Sequence, residues 1–189
     1  MMTEVKPSSR ERLLEAAATL TYRDGVSIGI EALCKAAGVS KRSMYQLFES
    51  KDELIAASLE RRASSYVAAL LPAADDDRAP RERTLHVFEQ VESQAGEAEF
   101  RGCPYLSVQI ELKDRSHPAS RVARRVKGNL TAFFRAEAER GGASDPDLLA
   151  RQLTLVFDGA SARAGIGAES LEGFIVPTVA TLLDAAGMR

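Results

Sequence analysis

Ile30-Glu-Ala-Leu-Cys-Lys-Ala-Ala-Gly-Val-Ser-Lys-Arg-Ser-Met-Tyr-Gln-Leu-Phe48 reads as two short helical patterns separated by three residues. Gly38 takes a positive φ without steric penalty and so can end the first pattern in a sharp turn. Ser40 offers a side-chain acceptor to the start of the second. Apolar residues recur one helical turn apart, Leu33 and Ala37 before the turn and Met44 and Leu47 after it. Val39 plugs the turn itself, and Cys34 sits where the two helices cross and only a small side chain fits. Together they close a miniature core, a helix-turn-helix over about residues 29–48. Lys41, Arg42, Ser43, Tyr45 and Gln46 are left on the outer face of the second helix. Cations, hydroxyls and an amide on one ridge suit phosphate oxygens and base edges, and the major groove is wide enough to admit a helix.

The pattern continues in both directions with helical period, and no segment alternates convincingly with period two. Upstream, Ser8 and Glu11 form a capping box; Leu13, Ala16, Ala17 and Leu20 make one apolar face, and Gly25 ends the helix. Downstream, Ser50 caps a fourth helix starting at Lys51, with Leu54, Ala57, Leu59, Tyr66, Leu70 and Leu71 as its stripe, ending at Pro72. Residues 72–80, with the run Asp75-Asp76-Asp77, read as a solvated loop. Helix five covers about 81–95, with Leu85, Phe88 and Val91 inward, and helix six follows Pro104 with Leu106, Ile110 and Leu112 apolar. Helix seven starts at Pro118 and carries Val122, Val126, Leu130, Phe133, Phe134 and Ala138 to Gly141-Gly142. Helix eight, behind Ser144-Asp145-Pro146, turns Leu149, Leu153, Val156, Phe157, Ala160 and Ala164 one way. The last carries Leu171, Phe174, Ile175, Val179 and Leu182; Pro177 within that stripe means a kink or a helix start. The expected class is all-α, with about nine helices.

With 189 residues the chain suits one large helical domain or a small one joined to a medium one, and 45% hydrophobic residues are too many for a disordered chain. The net charge of −2 argues against a protein that coats nucleic acid, but residues 1–51 hold eight Lys/Arg against six Asp/Glu. A positive head on an acidic body fits local phosphate contact. Cys34 and Cys103 make no disulfide framework and no zinc ligand set, and His86 and His117 are too few and too far apart to suggest metal. No run reaches the ~18–20 apolar residues of a membrane span. The stretch from Met1 to Pro7 lacks an apolar signal core, so no membrane partner and a cytoplasmic location are expected. No nucleophile elbow, metal cluster or phosphate-cradling glycine loop stands out, so no catalytic residue and no cofactor is assigned.

Ala36-Ala-Gly-Val-Ser-Lys-Arg-Ser-Met-Tyr-Gln-Leu-Phe-Glu-Ser-Lys-Asp-Glu-Leu54 resembles the DNA-binding signature of the TetR family of transcriptional regulators, and the likeness extends over about residues 9–55. Phe100-Arg-Gly-Cys-Pro-Tyr-Leu106 and Gln152-Leu-Thr-Leu-Val-Phe-Asp-Gly-Ala160 resemble ligand-domain helices of one subgroup. Two positions depart from the family pattern: Thr21 replaces a usual aromatic, and Glu31 stands where many members carry a base- or phosphate-contacting residue. The resemblance implies a DNA-binding domain at 8–55 and a ligand-binding and dimerisation domain at 56–189. Ser40, Lys41, Arg42, Ser43, Tyr45 and Gln46 would meet DNA, Lys51 would neutralise a phosphate, and the N–H groups around Gly29 would offer a helix N-terminus to another. An unidentified small-molecule effector would lie among helices five to eight, with Phe88, Phe100, Cys103, Tyr105, Phe133 and Phe157 as candidate lining. Segments 146–164 and 171–186 are apolar over more than one face, which fits a four-helix bundle with a second copy of the chain. A homodimer on a near-palindromic operator, released by the effector, is the function this implies. The alternative is a helical ligand-binding protein or enzyme without operator function.

Overall fold

The computed structural model describes residues 7–188; the stretch Met1–Lys6, used above to judge a signal core, lies outside them. The described residues form nine helices and no strand. They are α1 Ser9–Asp24, α2 Ile30–Ala37, α3 Lys41–Leu47, α4 Lys51–Leu70, α5 Pro80–Ala95, α6 Pro104–Leu112, α7 Pro118–Arg140, α8 Pro146–Gly165 and α9 Ile175–Ala185. None is long and apolar enough to cross a membrane. The described residues divide into two compact units, one of 7–63 with 108–124 and one of 64–107 with 125–188. Residues 108–124 thus pack with the N-terminal segment although they come late in the chain.

In the first unit the capping box of α1 closes as its sequence implies: Glu11 N–H donates to Ser8 Oγ at 3.2 Å and Ser8 N–H to the Glu11 carboxylate at 2.6 Å. The core joins Leu13, Leu14 and Ala17 of α1 to Leu33, Cys34 and Ala37 of α2, Met44 of α3, Phe48 and Leu54. Leu47, expected inside, is instead 40% exposed. The reason is local: α3 ends at Leu47, and Phe48, in extended conformation at φ −141°, is the residue that turns inward. The guanidinium of Arg10 lies 5.1 Å from the Phe48 ring centroid. Thr21 is buried, and its hydroxyl donates to the Ala17 carbonyl at 2.6 Å, so no polar group is left unpaired there.

In the second unit α5 packs on α8 and α9, and α8 on α9. Phe88 stacks on Phe134 at 5.5 Å and meets the edge of Phe157 at 6.5 Å. On α5 the fully buried neighbour of Phe88 is Val87, while Leu85 is only half-buried. Pro177 is the third residue of α9, where its missing N–H costs nothing, so it marks a helix start rather than a kink. Leu183, not Leu182, is the buried residue of the last turn. Asp76 departs from the expected solvated run. Hydrogen bonds from the Arg78 guanidinium and backbone hold its carboxyl down at about 2, while its own carbonyl accepts from Arg83 at 2.8 Å.

Two glycines let the segment before α6 lie against the end of α8. Gly102 has φ +89°, and a Cβ there would come 2.7 Å from the Ser161 carbonyl oxygen. A Cβ on Gly165 would come 2.5 Å from the Arg101 carbonyl. Both obstacles are backbone, which cannot rotate away. Gly102→Ala and Gly165→Ala should each cost about 1–3 kcal/mol, read as a lower urea midpoint with unchanged slope; Gly128→Ala, inside α7 with nothing within 4 Å, is the control and should raise the midpoint, by up to about 1 kcal/mol of helix propensity.

Candidate nucleic-acid interface

The turn between α2 and α3 is built as the sequence implies. Gly38 is left-handed at φ 61° and ψ 39°, and the Val39 N–H returns to the Cys34 carbonyl at 3.0 Å. Ser40 caps α3: its Oγ accepts from Ser43 N–H at 3.0 Å and lies 2.8 Å from Ser43 Oγ. Met44 is fully buried beneath, which fixes the rotation of α3 about its axis. Lys41, Arg42, Tyr45 and Gln46 are then exposed, Tyr45 to 50%.

Two of the expected DNA contacts, Lys41 and the Gly29 end of α2, are engaged within the protein. Lys41 Nζ pairs with Glu31 at 2.8 Å. The Glu31 carboxylate is held below its ordinary range by that hydrogen bond, by its own backbone N–H and by the charge of Lys41, and the Lys41 ammonium is raised in return. Glu31 Oε2 also lies 3.7 Å from the point where a Cβ on Gly29, the N-cap of α2, would sit. The carboxylate therefore occupies the anion-attracting end of α2, the place the Gly29 N–H groups would offer to a phosphate. Both partners of the pair are more than half exposed, so solvent screens it and it adds little to stability.

Lys51, at the start of α4, donates to the carbonyls of Val26 and Ile28, each at 3.1 Å. Glu111 of α6 accepts the Val26 N–H at 2.8 Å. The loop from α1 to Gly29 is thereby clasped from two sides, by a cation on its carbonyls and a carboxylate on its N–H. An ammonium has three donors, so Lys51 keeps capacity for an outside acceptor. Nearby, His117 Nδ1 accepts the Ala119 N–H at 3.1 Å, capping α7, and its Nε2 lies 3.3 Å from Asp52. Glu111 escapes sequence reasoning because 85 positions separate it from Val26 and no local pattern marks it.

The candidate effector residues lie in the second unit. Phe88, Cys103, Tyr105 and Phe157 are buried, and Phe100 and Phe133 are half-buried. Tyr66 of α4, read only as part of a stripe, joins them: its ring meets Tyr105 at 4.9 Å and its hydroxyl donates to Cys103 Sγ at 3.0 Å. Burial, then the neighbouring thiol, push the Tyr66 phenol well above its ordinary range.

A family model for bacterial regulatory proteins of the tetR family matches residues 13–58. A chain from Streptomyces avermitilis assigned to the TetR transcriptional regulators is 76% identical, with 97% of this chain and 100% of that one covered and a TM-score of 0.95. A TetR-family transcriptional regulator from Streptomyces coelicolor is 25% identical over 94% of this chain and 95% of its own, with a TM-score of 0.86. An HTH-type transcriptional regulator of Mycobacterium tuberculosis is 36% identical over 76 residues; that match takes in 40% of this chain and only 38% of the relative's length.

Removing the internal anion should strengthen contact with any duplex. Glu31→Gln frees Lys41 and uncovers the α2 N-terminus, so affinity for a random-sequence duplex should rise roughly five- to tenfold at low salt, and the slope of log affinity against log salt should steepen by about one unit. Fluorescence anisotropy over a salt series measures both, and an unchanged slope would refute the assignment.

Proposed function

This chain belongs to the TetR family of bacterial transcriptional regulators, and we propose that it works as a homodimeric repressor released from a near-palindromic operator by a small-molecule effector. The observation that carries this reading is the ridge of α3. A buried Met44 and a left-handed Gly38 hold the helix, and Lys41, Arg42, Tyr45 and Gln46 stand free of the core on its outer side. In this reading Arg42 and Gln46 address base edges, Tyr45 and the capped Ser40 and Ser43 meet the backbone, and Lys41, Lys51 and the Gly29 end of α2 meet phosphates. Residues 8–55 serve DNA, and 56–189 serve ligand binding and dimerisation.

The second copy is supported by what α8 and α9 leave uncovered. Leu148, Leu155 and Ala162 recur every seven residues on α8 and are all exposed, Leu155 to 73%; Phe174, at the start of α9, is 50% exposed. Apolar side chains of that size in one stripe suit an isologous helical interface. Two α3 helices about 34–36 Å apart would then meet successive major grooves. The effector would enter among Phe88, Phe100, Cys103, Tyr105, Phe133 and Phe157 and favour the DNA-incompetent state. A coupling of ~1–3 kcal/mol is enough for about 5–150-fold release. The reading places the protein in the cytoplasm, where its operator is.

The test begins with duplexes selected from a random pool by the purified protein. A two-fold-related pair of half-sites is expected, and failure to enrich any sequence would end the proposal. Against the selected duplex, Arg42→Ala and Gln46→Ala should change which bases are preferred, at about 1–3 kcal/mol per position. Lys51→Ala should weaken binding to all sequences alike and flatten the salt slope. Equilibrium sedimentation should give a dimer at micromolar concentration, and Leu155→Glu should shift it toward monomer.

A further inference from the structure

Lys127, on α7, carries a charge into the helical core of the second unit. Its side chain is 10% exposed, its ammonium lies 4.4 Å from the Phe157 ring centroid, and it pairs with Asp158 of α8. A buried ammonium is costly unless it is paired and hydrogen-bonded. The same unit holds a second buried pair that shows what a purely structural one looks like. Arg83 and Glu137 are 8% and 4% exposed and 3.0 Å apart. Arg83 also donates to the carbonyls of Ala73 and Asp76, and Glu137 also accepts from Arg140, so both partners are locked.

The Lys127 pair is asymmetric instead. Asp158 is 27% exposed and can swing to water, whereas the ammonium is hemmed in by the Phe157 face. Of its three donors Asp158 occupies one. The cation is therefore the fixed member and the carboxylate the replaceable one, which sets the sign of any entering ligand. The surroundings give its shape. One turn along the same two helices, the hydroxyls of Thr131 and Thr154 lie 3.0 Å apart. From Phe157 the rings continue to Phe88 and on to Phe134, all three packed in the closed core at 1%, 0% and 0% exposure.

We propose that Lys127 is the recognition point for the effector, and that the effector is an apolar, preferably aromatic, carboxylate: its anionic group takes the place of Asp158 on Lys127, and its body opens the packing of Phe157 on Phe88 and takes its place between them. The proposal rests on the effector-released reading above but concerns a property that can fail separately from it.

The probes are 1-naphthoate and its neutral isostere 1-naphthamide, titrated calorimetrically into the full-length protein at fixed ionic strength, with release of the selected duplex followed by anisotropy. Naphthoate should bind at least about tenfold more tightly than the amide. Lys127→Met keeps the apolar stem and removes the charge, so it should abolish that preference. Asp158→Asn removes the competing carboxylate and should tighten naphthoate by roughly tenfold while leaving the amide unchanged; it also carries the test should Lys127→Met not fold. Equal affinity for acid and amide, binding of neither, a preference that survives Lys127→Met, or an unmoved Asp158→Asn would each overturn the site. Release of the duplex by the amide as well as by the acid would overturn the site and leave effector release standing. Selective naphthoate binding with no effect on the duplex would support the site and overturn effector release.

Discussion

The left-handed turn at Gly38 is the constraint on which the reading surface depends. Only φ near +61° brings the Val39 N–H back to the Cys34 carbonyl and sends the chain out toward Ser40 at the angle that buries Met44. An L side chain resists that conformation, so a Cβ at Gly38 would be strained although open space surrounds it. Met44 then sets the rotation of α3, and that rotation decides which side chains stand outside. A shift of one residue would carry Met44 outward and bring a polar residue of the ridge into the core. Position and chemistry of the ridge are thus consequences of one backbone conformation and one apolar anchor.

Around this rigid turn the electrostatics are soft. Glu31 neutralises Lys41 and fills the end of α2, while Lys51 is turned onto backbone carbonyls. Exposed pairs of this kind are worth too little to keep a phosphate away, but each must be exchanged for it. The exchange trades one hydrogen bond for another, so it lowers affinity for phosphate in general. The base contacts proposed for Arg42 and Gln46 would not pass through that exchange. In the proposed reading, an acidic residue among the cations would therefore trim non-specific binding more than specific binding and raise discrimination without adding a contact.

Local features were readable from sequence because their causes are local. The capping box of Ser8 and Glu11, the Gly38 turn, the Ser40 cap and the start of α8 at Pro146 behind Asp145 each depend on residues within a few positions. The exchange of Leu47 for Phe48 lay beyond the pattern, because helical periodicity extends a stripe to its last residue and cannot tell where α3 gives way to extended chain. The hold of Glu111 on Val26 and of Lys127 on Asp158 joins residues 85 and 31 positions apart, and nothing in either neighbourhood marks it. A glutamate on a short helix and a lysine on a long one read as solvated charges until tertiary structure places them. The same holds for Asp76, whose neighbours in the run do stay exposed while Arg78 takes it out of solution.

The two buried ion pairs of the second unit show how a charge kept for stability differs from one kept for exchange. Removing Glu137 strands the buried Arg83 charge on two backbone carbonyls, while Glu137 without Arg83 is still held by Arg140. Replacing Asp158 by another carboxylate strands nothing: Lys127 stays paired, and Asp158 gains water as it leaves. The swap of anion for anion is therefore close to neutral in charge energy, and a ligand's affinity has to come from elsewhere. Ligand surface removed from water between Phe157 and Phe88 supplies it, at about 25 cal/mol for each Å², less the ring contacts that the ligand displaces. Charge then selects the class of ligand, and apolar contact sets how tightly a member of that class is held. A neutral molecule of the same shape would gain the contact but would leave Asp158 in place on Lys127 and have to fit around it.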